Sequence, residues 1–176
     1  MRPLRPRYAR IERIVDQLLE EHGAVAPPVA VDKIARKAGV EIKYGELGDV
    51  SGLLVRANGR ATIGVNVSHA PVRKRFTIAH ELGHFLLHEV ISAHYDRDYK
   101  VNFRSVESSQ ATNVEEIEAN FFAASILMPR RFLHDDSAVD QLDNDIGVAR
   151  LAERYKVSRH AMSLRLVNLY EKHRPF

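Results

Sequence analysis

The sequence contains no cysteine and no long uninterrupted run of apolar residues. Without cysteine it has no disulfides, no thiolate metal ligands and no cysteine nucleophile, so any metal ion must be held by His, Asp or Glu. No segment reaches the roughly 18 apolar residues of a membrane helix, and the N-terminus lacks the apolar core of a signal peptide. We therefore expect a cytoplasmic protein that does not enter a membrane.

Length and charge narrow the classes further. A chain of 176 residues is long enough for one domain with a real core, with or without a small helical appendage. The formal net charge of +3 mildly favours an acidic partner, but it falls well short of a nucleic-acid-binding composition. We find no internal repeat and no low-complexity tract. The composition thus indicates an ordinary globular protein.

Apolar spacing predicts two N-terminal helices followed by a small antiparallel sheet. Apolar residues recur at helical spacing from Tyr8 to His22, where Gly23 ends the helix, and a second short helix stops at Gly39. Three strand-like stretches follow, VEIKY, VSGLLVRA and RATIGVNV, and Asn58-Gly59 between the last two is a strong hairpin signal. We expect an extended peptide to add to an exposed edge of that hairpin.

The second half of the chain is predicted to be helical apart from one loop. Pro71 opens a helix that runs to about His88, whereas residues 91–112 are polar and unperiodic and are expected to form a loop. The capping-box spacing of Thr112 and Glu115 predicts a helix from Val114 to about Leu127. The remainder alternates short helical patterns with polar turns. The fold class is therefore α+β, with a small antiparallel sheet beside several helices.

The stretch RFTIAHELGHFLLHEV places three histidines and a glutamate inside an apolar helix. His80 and His84 are four residues apart, so both imidazoles lie on one face and reach one ion, and Zn²⁺ suits such nitrogen ligands. Glu81 lies one residue round the helix from His80, where it flanks the metal without binding it and takes a proton from the attacking water. This is the His-Glu-x-x-His arrangement of metalloproteases.

The alternative is a core helix whose histidines are satisfied by ordinary hydrogen bonds. Burying two imidazoles and a carboxylate without a metal would leave several polar groups seeking partners, at about 1–3 kcal/mol for each one left unsatisfied. Gly83 costs about 1 kcal/mol of helix propensity, which indicates a close backbone approach at that position. The metal site is therefore the better interpretation.

A catalytic zinc site needs a third protein ligand, and the next helix offers Glu115, Glu116 and Glu118. Glu116 shares a helical stripe with Asn120, an amide that can bond a metal-bound imidazole, so we predict Glu116 as the third ligand. That these carboxylates form a solvated first turn, favoured by the helix dipole, stays open for Glu115 and Glu118. We expect His88 to border the site or to cap its helix rather than to bind the ion. A third ligand on successive turns of one helix would have to bind from nearly the same direction as the first two.

Two motifs together, RFTIAHELGHFLLH and EIEANFFAASILMP, resemble those of the ImmA/IrrE metallopeptidases, and VSGLLV and IGVN support the resemblance. It implies a zincin-like fold and a zinc-dependent endopeptidase whose known members cut a helix-turn-helix repressor and so switch on stress-response or mobile-element genes. It carries over His80 and His84 as zinc ligands, Glu116 as the third ligand and Glu81 as the catalytic glutamate. The oxyanion donor stays unassigned, with candidates in the loop after the histidine helix: His94, Tyr95 and Tyr99.

The C-terminal stretch VARLAERYKVSRHAMSLRLVNLY supports a rival function. We place the zincin-like domain at residues 1–135 and a helix-turn-helix-like segment packed on it at 136–176. In that segment the first helix would end near Tyr155 and Ser158 would cap the second. The rival is a non-catalytic DNA- or repressor-binding module with structural zinc, favoured by five basic residues: Arg150, Arg154, Lys156, Arg159 and Arg165. Apolar residues along the second helix favour packing over DNA binding.

Overall fold

The computed structural model describes residues 5–88, 93–96, 111–142 and 144–170, and for residues 93–96 and 111–113 it describes the backbone alone. The fold is α+β, as predicted. The helices are α1 Tyr8–Glu21, α2 Val31–Lys37, α3 Pro71–Leu87, α4 Ala111–Leu127, α5 Arg130–Asp135, α6 Asp145–Tyr155 and α7 Arg159–Tyr170. The strands are β1 Val40–Gly45, β2 Gly52–Ala57, β3 Arg60–Asn66 and β4 Ala93–Asp96.

The sheet is mixed, with the strand order β1-β3-β2-β4. Strands β2 and β3 form the predicted antiparallel hairpin, and both turn residues, Asn58 and Gly59, have positive φ, as this tight hairpin turn requires. Strand β1 runs parallel to β3, so the prediction of a wholly antiparallel sheet was wrong for β1. The chain does reverse between β1 and β2, but the hairpin inserts β3 between them, and β3 runs in the direction of β1.

Strand β4 corrects two further expectations. Residues 93–96 are not part of a loop, because they pair antiparallel with β2 from Gly52–Asp96 to Val55–Ala93. Both strands of the hairpin therefore lie inside the sheet, and among the described strands its edges are β1 and β4. The expectation that a peptide adds to a hairpin edge was wrong for that reason. Residues 91–92 and 97–110 of the predicted loop lie outside the described residues, and residues 111–112 belong to α4 rather than to a loop.

Helices α3 and α4 pack closely together, as the glycine in the histidine helix predicted. A Cβ added at Gly83 would lie 3.1 Å from Phe122 Cδ1 and 3.2 Å from the Cα of Ala119, tighter than ordinary contact. Helix α4 begins at Ala111, so Thr112 lies inside the helix rather than at its N-cap, and its side chain is outside the described residues. The close packing brings α4 up to the histidine face of α3.

The carboxylates Glu115 and Glu118 are buried, with 4% and 0% of their surface exposed. The alternative that they belong to a solvated first turn was therefore wrong. Glu118 is on the same stripe of α4 as the buried Phe122, and it faces the start of α1, where Arg7 binds it. Only Glu116 of the three is substantially exposed, at 40% of its side chain.

The C-terminal helices follow the predicted helix-turn-helix-like pattern. Helix α6 ends at Tyr155, and the hydroxyl of Ser158 accepts a hydrogen bond from the amide of Ala161 at 3.1 Å. Arg165 is only 4% exposed and donates to the carbonyl of Met128, so its assignment to a basic surface was wrong. This contact ties the segment to the residue directly after α4, whereas the domain boundary at residue 135 stays a prediction.

Helix length also bears on the membrane expectation. Among the residues that the structure describes, no helix is both long and apolar enough to cross a membrane.

Gly52 generates a stability prediction. A Cβ at Gly52 would lie 2.2 Å from Thr77 Cγ2, so Gly52→Ala should lower the free energy of unfolding by about 1–3 kcal/mol through overpacking. Urea unfolding is the measurement. Gly45→Ala is the matched control, because its added Cβ meets no heavy atom within 4 Å.

The double variant Gly52→Ala/Thr77→Ser sharpens the test, since serine lacks Cγ2 and should recover most of the loss. Recovery should be incomplete because the carbonyl oxygen of Gly64 lies 3.2 Å from the added atom. An unfolding midpoint for Gly52→Ala equal to that of Gly45→Ala would contradict the prediction.

Candidate metal centre

Helix α3 presents the histidine pair from a buried position. Pro71 starts the helix at a position where no backbone amide bond is lost. Ile78, Ala79 and Leu82 then anchor the helix in the core. His80 and His84 are therefore held on a rigid element, with 0% and 3% of their surface exposed.

Three side chains from α3 and α4 converge at this point. His80 Nε2 lies 3.0 Å from His84 Nε2 and 3.4 Å from Glu116 Oε2, and His84 Nε2 lies 3.2 Å from Glu116 Oε1. Within the described part of the chain, these residues form the one group of three that could hold a metal ion. The structure thus brings together all three residues predicted as ligands.

The spacing of these atoms fits a tetrahedral metal ion. Ligand atoms about 2.0–2.1 Å from Zn²⁺ at tetrahedral angles are about 3.3 Å apart. The two Nε2 atoms are 3.0 Å apart, and they lie 3.2 and 3.4 Å from the two different oxygens of Glu116, which is close to that value. Two imidazole nitrogens and one carboxylate oxygen also form a donor set that divalent transition metals bind in proteins. The residues present therefore fit such an ion.

Asn120 determines which ring nitrogen of His80 carries the hydrogen. Its side-chain oxygen lies 3.0 Å from His80 Nδ1, and an amide oxygen only accepts, so Nδ1 carries the hydrogen. In a neutral imidazole the other nitrogen, Nε2, is then an acceptor. This is the nitrogen that faces Glu116, and the arrangement is the one predicted for Asn120 from its place on the stripe.

A second series of hydrogen bonds determines which ring nitrogen of His84 carries the hydrogen. Its Nδ1 lies 3.0 Å from His88 Nδ1, and His88 Nε2 lies 3.1 Å from Glu118 Oε2. A carboxylate only accepts, so His88 donates from Nε2, accepts at Nδ1 and receives the hydrogen of His84 Nδ1. The sequence expectation that His88 borders the site agrees with these contacts.

Electrostatics support these directions. Burial alone would raise the pKa of Glu118, but hydrogen bonds from the side chain and backbone of Arg7 and from His88 outweigh it, so the pKa lies below its ordinary value. Burial lowers the pKa of His88 despite its bond to Glu118. Glu118 is therefore a carboxylate and His88 a neutral imidazole at neutral pH.

These bonds make the convergent atoms acceptors of the same kind. His80 and His84 both present the lone pair of Nε2 to each other and to the Glu116 carboxylate. Lone pairs 3.0–3.4 Å apart repel one another unless a positive charge lies between them. A divalent cation at their centre would be bound by all three groups at once.

Glu81 lies beside this centre but outside the group of ligands. It is fully buried on α3, next to His80, and its Oε1 lies 3.6 Å from the place where a Cβ of Gly52 would be. The start of β2 therefore packs next to the Glu81 carboxylate. Its role as a carboxylate that flanks a metal without binding it stays a prediction.

Sequence reasoning missed Arg7 and the role of Glu118. Glu118 is four residues before the buried Phe122 on α4, a signal of burial that the sequence does contain. No local pattern marks Arg7, whose partner lies 111 positions along the chain. Of the candidate oxyanion donors, Tyr99 and the side chains of His94 and Tyr95 lie outside the described residues.

Comparisons with known proteins identify the family and the fold. A family profile described as "Peptidase_M78: IrrE N-terminal-like domain" matches residues 35–167, which include all four predicted site residues. A transcriptional regulator of Mycobacterium tuberculosis has a similar structure, with a TM-score of 0.62 and 16% identity over 90% of this chain and 46% of that one. The chain thus spans less than half of that regulator, and the likeness shows a shared fold. A search of curated protein sequences found no match.

The geometry predicts one bound transition-metal ion per chain. His80→Ala and His84→Ala should each abolish stoichiometric metal, because each removes one of the two imidazole ligands. Elemental analysis of protein purified after zinc is supplied is the measurement. His134→Ala is the control, since that side chain is 85% exposed and should not affect the metal content. Wild-type protein without stoichiometric metal would refute the prediction.

Glu116 should matter more than any outer hydrogen-bond partner. Glu116→Gln replaces a charged oxygen ligand by a weak neutral one, so metal affinity should fall by more than the roughly 10–100-fold typical of outer partners. Competition with a chromogenic chelator measures this. Glu153→Gln makes the same chemical change on the exposed face of α6 and should leave affinity unchanged. Equal affinities in the two variants would remove Glu116 from the ligand set.

Proposed function

The chain belongs to the IrrE N-terminal-like family of peptidases, and from that premise we propose that it is a zinc-dependent endopeptidase. The observation that carries the proposal is the convergence of His80, His84 and Glu116, with the Glu81 carboxylate buried next to His80. Two imidazoles and a carboxylate leave a fourth position of a tetrahedral ion open, which is the arrangement of a catalytic rather than a structural zinc site.

Each residue has a defined part in the proposed reaction. Bound zinc would polarise the scissile carbonyl as a Lewis acid and promote loss of a proton from water. Glu81 accepts that proton and then delivers it to the leaving amine, the task of a general base and acid. His80, His84 and Glu116 hold the ion, and Asn120 and His88 keep the two imidazoles in the tautomer that leaves Nε2 as an acceptor.

We propose a protein substrate, a helix-turn-helix repressor or antitoxin whose cleavage relieves repression in a stress or mobile-element response. The resemblance to the ImmA/IrrE metallopeptidases supports this choice, and the similar structure is itself named a transcriptional regulator. An extended peptide would add to a sheet edge, and β4 is the edge strand paired directly with β2. A cytoplasmic location, where such repressors act, is part of the proposal.

The rival function is a binding module with structural zinc. It is favoured by basic side chains exposed on the C-terminal helices: Arg150, Arg154, Lys156 and Arg159. Two contacts oppose it, because Arg165 is buried against Met128 and Arg154 is paired with Asp136 at 2.9 Å. The remaining exposed charges are few for a DNA-binding surface.

The Glu81→Gln variant tests the proposed function. It should keep its metal and fold while the rate of substrate cleavage falls by about 10²–10⁴, because the variant lacks the proton acceptor. A mixture with the cognate repressor should yield two repressor fragments with the wild type and an intact repressor with the variant. Glu153→Gln should cleave as the wild type does.

Two outcomes would favour the rival. If wild type and Glu81→Gln relieve repression equally without any cut, the protein acts by sequestering its partner. If neither protein cuts a helix-turn-helix protein, and a mobility-shift assay shows DNA binding that is lost in an Arg150→Ala/Arg159→Ala variant, the C-terminal helices carry the function.

A further inference from the structure

Arg7, directly before α1, is joined to α4 by three hydrogen bonds to one carboxylate. Its backbone amide donates to Glu118 Oε1 at 2.7 Å, its Nε to the same oxygen at 2.9 Å, and its Nη2 to Oε2 at 2.7 Å. The Glu118 side chain is fully buried, whereas that of Arg7 is 27% exposed. Because these bonds hold both oxygens of the carboxylate, they fix it in one orientation.

The orientation of Glu118 is passed on to the metal centre. Glu118 Oε2 also accepts from His88 Nε2 at 3.1 Å, and His88 Nδ1 lies 3.0 Å from His84 Nδ1. Each link has only one direction open to it, because a carboxylate cannot donate and a neutral imidazole donates from one nitrogen only. This series of hydrogen bonds therefore ends at His84, with the hydrogen of its ring on Nδ1 and a lone pair on Nε2.

We infer that His88 is a positioning residue of the metal centre, which Glu118 and Arg7 hold in place so that His84 always presents an unprotonated Nε2. The inference rests on the proposed function, since it concerns the metal that His80, His84 and Glu116 would bind. Without the acceptor at His88, this hydrogen bond no longer holds the hydrogen of His84 on Nδ1, and a tautomer with the hydrogen on Nε2 cannot bind metal until the hydrogen moves.

Anchoring of the helix end is a separate task that a second arginine shares. Arg7 Nη2 donates to the carbonyl of Leu87 at 3.2 Å, so part of its effect is on the end of α3. Arg56 does the same job from β2, because its Nη2 donates to the carbonyls of His84, Phe85 and His88. Arg56 contacts no imidazole nitrogen among the described residues, and this makes it the matched control for Arg7.

The first experiment measures zinc affinity by chelator competition in the full chain. His88→Phe keeps a ring of similar size and removes both nitrogens, and affinity should fall about 10–100-fold, as is usual when an outer partner of a histidine ligand is lost. Arg7→Met should also lower the zinc affinity, but by a smaller factor than His88→Phe. Arg56→Met should stay within about two-fold of the wild type, even if it unfolds at a lower urea concentration.

Double variants test whether Arg7 acts through His88. Adding Arg7→Met to His88→Phe should cause no further loss of affinity, because the link is already broken. His88→Asn places an amide oxygen near the position of Nδ1 but cannot reach Glu118. It should therefore retain more affinity than His88→Phe, and Arg7→Met should no longer matter in that background. A role for Arg7 in folding alone would give the same loss in every background.

Histidine tautomers supply a readout that does not require metal. Long-range ¹H–¹⁵N spectra of the metal-free protein should show His84 with its hydrogen on Nδ1 in the wild type and a mixture of tautomers in His88→Phe. A wild type that binds no zinc would sink the proposed function, whereas these spectra would still decide the inference. Equal zinc affinity in wild type and His88→Phe, or a His84 tautomer unchanged by the substitution, would overturn it.

Discussion

The contact between α3 and α4 at Gly83 is the constraint on which the metal centre depends. Because Gly83 has no Cβ, Ala119 and Phe122 of α4 lie against the backbone of α3. Glu116 is one turn before Asn120 on the same helix, so this contact also fixes how far both groups lie from the histidine pair. Donor atoms 3.0–3.4 Å apart tolerate little change in the distance between the two helices. Gly83 weakens the helix, but the close packing that it permits sets the distances between the donor atoms of the site.

The polar interior around the centre is directional throughout. Asn120 determines the hydrogen of His80, and the series from Arg7 through Glu118 and His88 determines that of His84. Buried networks of this kind stabilise a fold only when each member is satisfied, because an unpaired polar group in a low-dielectric interior is costly. Here the networks also leave all the convergent atoms as acceptors. The hydrogen bonds that satisfy these buried polar groups therefore also leave the convergent atoms able to bind a cation.

Local rules in the sequence account for what could be predicted. The spacing of His80 and His84, the stripe shared by Glu116 and Asn120, and the Asn58-Gly59 turn each depend on residues a few positions apart. The strand order could not be read in this way, since alternating patterns give the faces of a strand but not its neighbours. The link from Arg7 to Glu118 joins residues 111 positions apart and follows only from the packed fold.

The three residues proposed as metal ligands differ in how open they are to water, with side chains 0% and 3% exposed for His80 and His84 and 40% for Glu116. An ion that arrives from solution meets the carboxylate first, and a chelator that removes the ion competes with the carboxylate first. For an ion bound by these residues, we therefore expect the rate constants of metal exchange to depend on the movement of one surface-facing side chain. The equilibrium affinity, by contrast, draws on two imidazoles that the helix core already holds still.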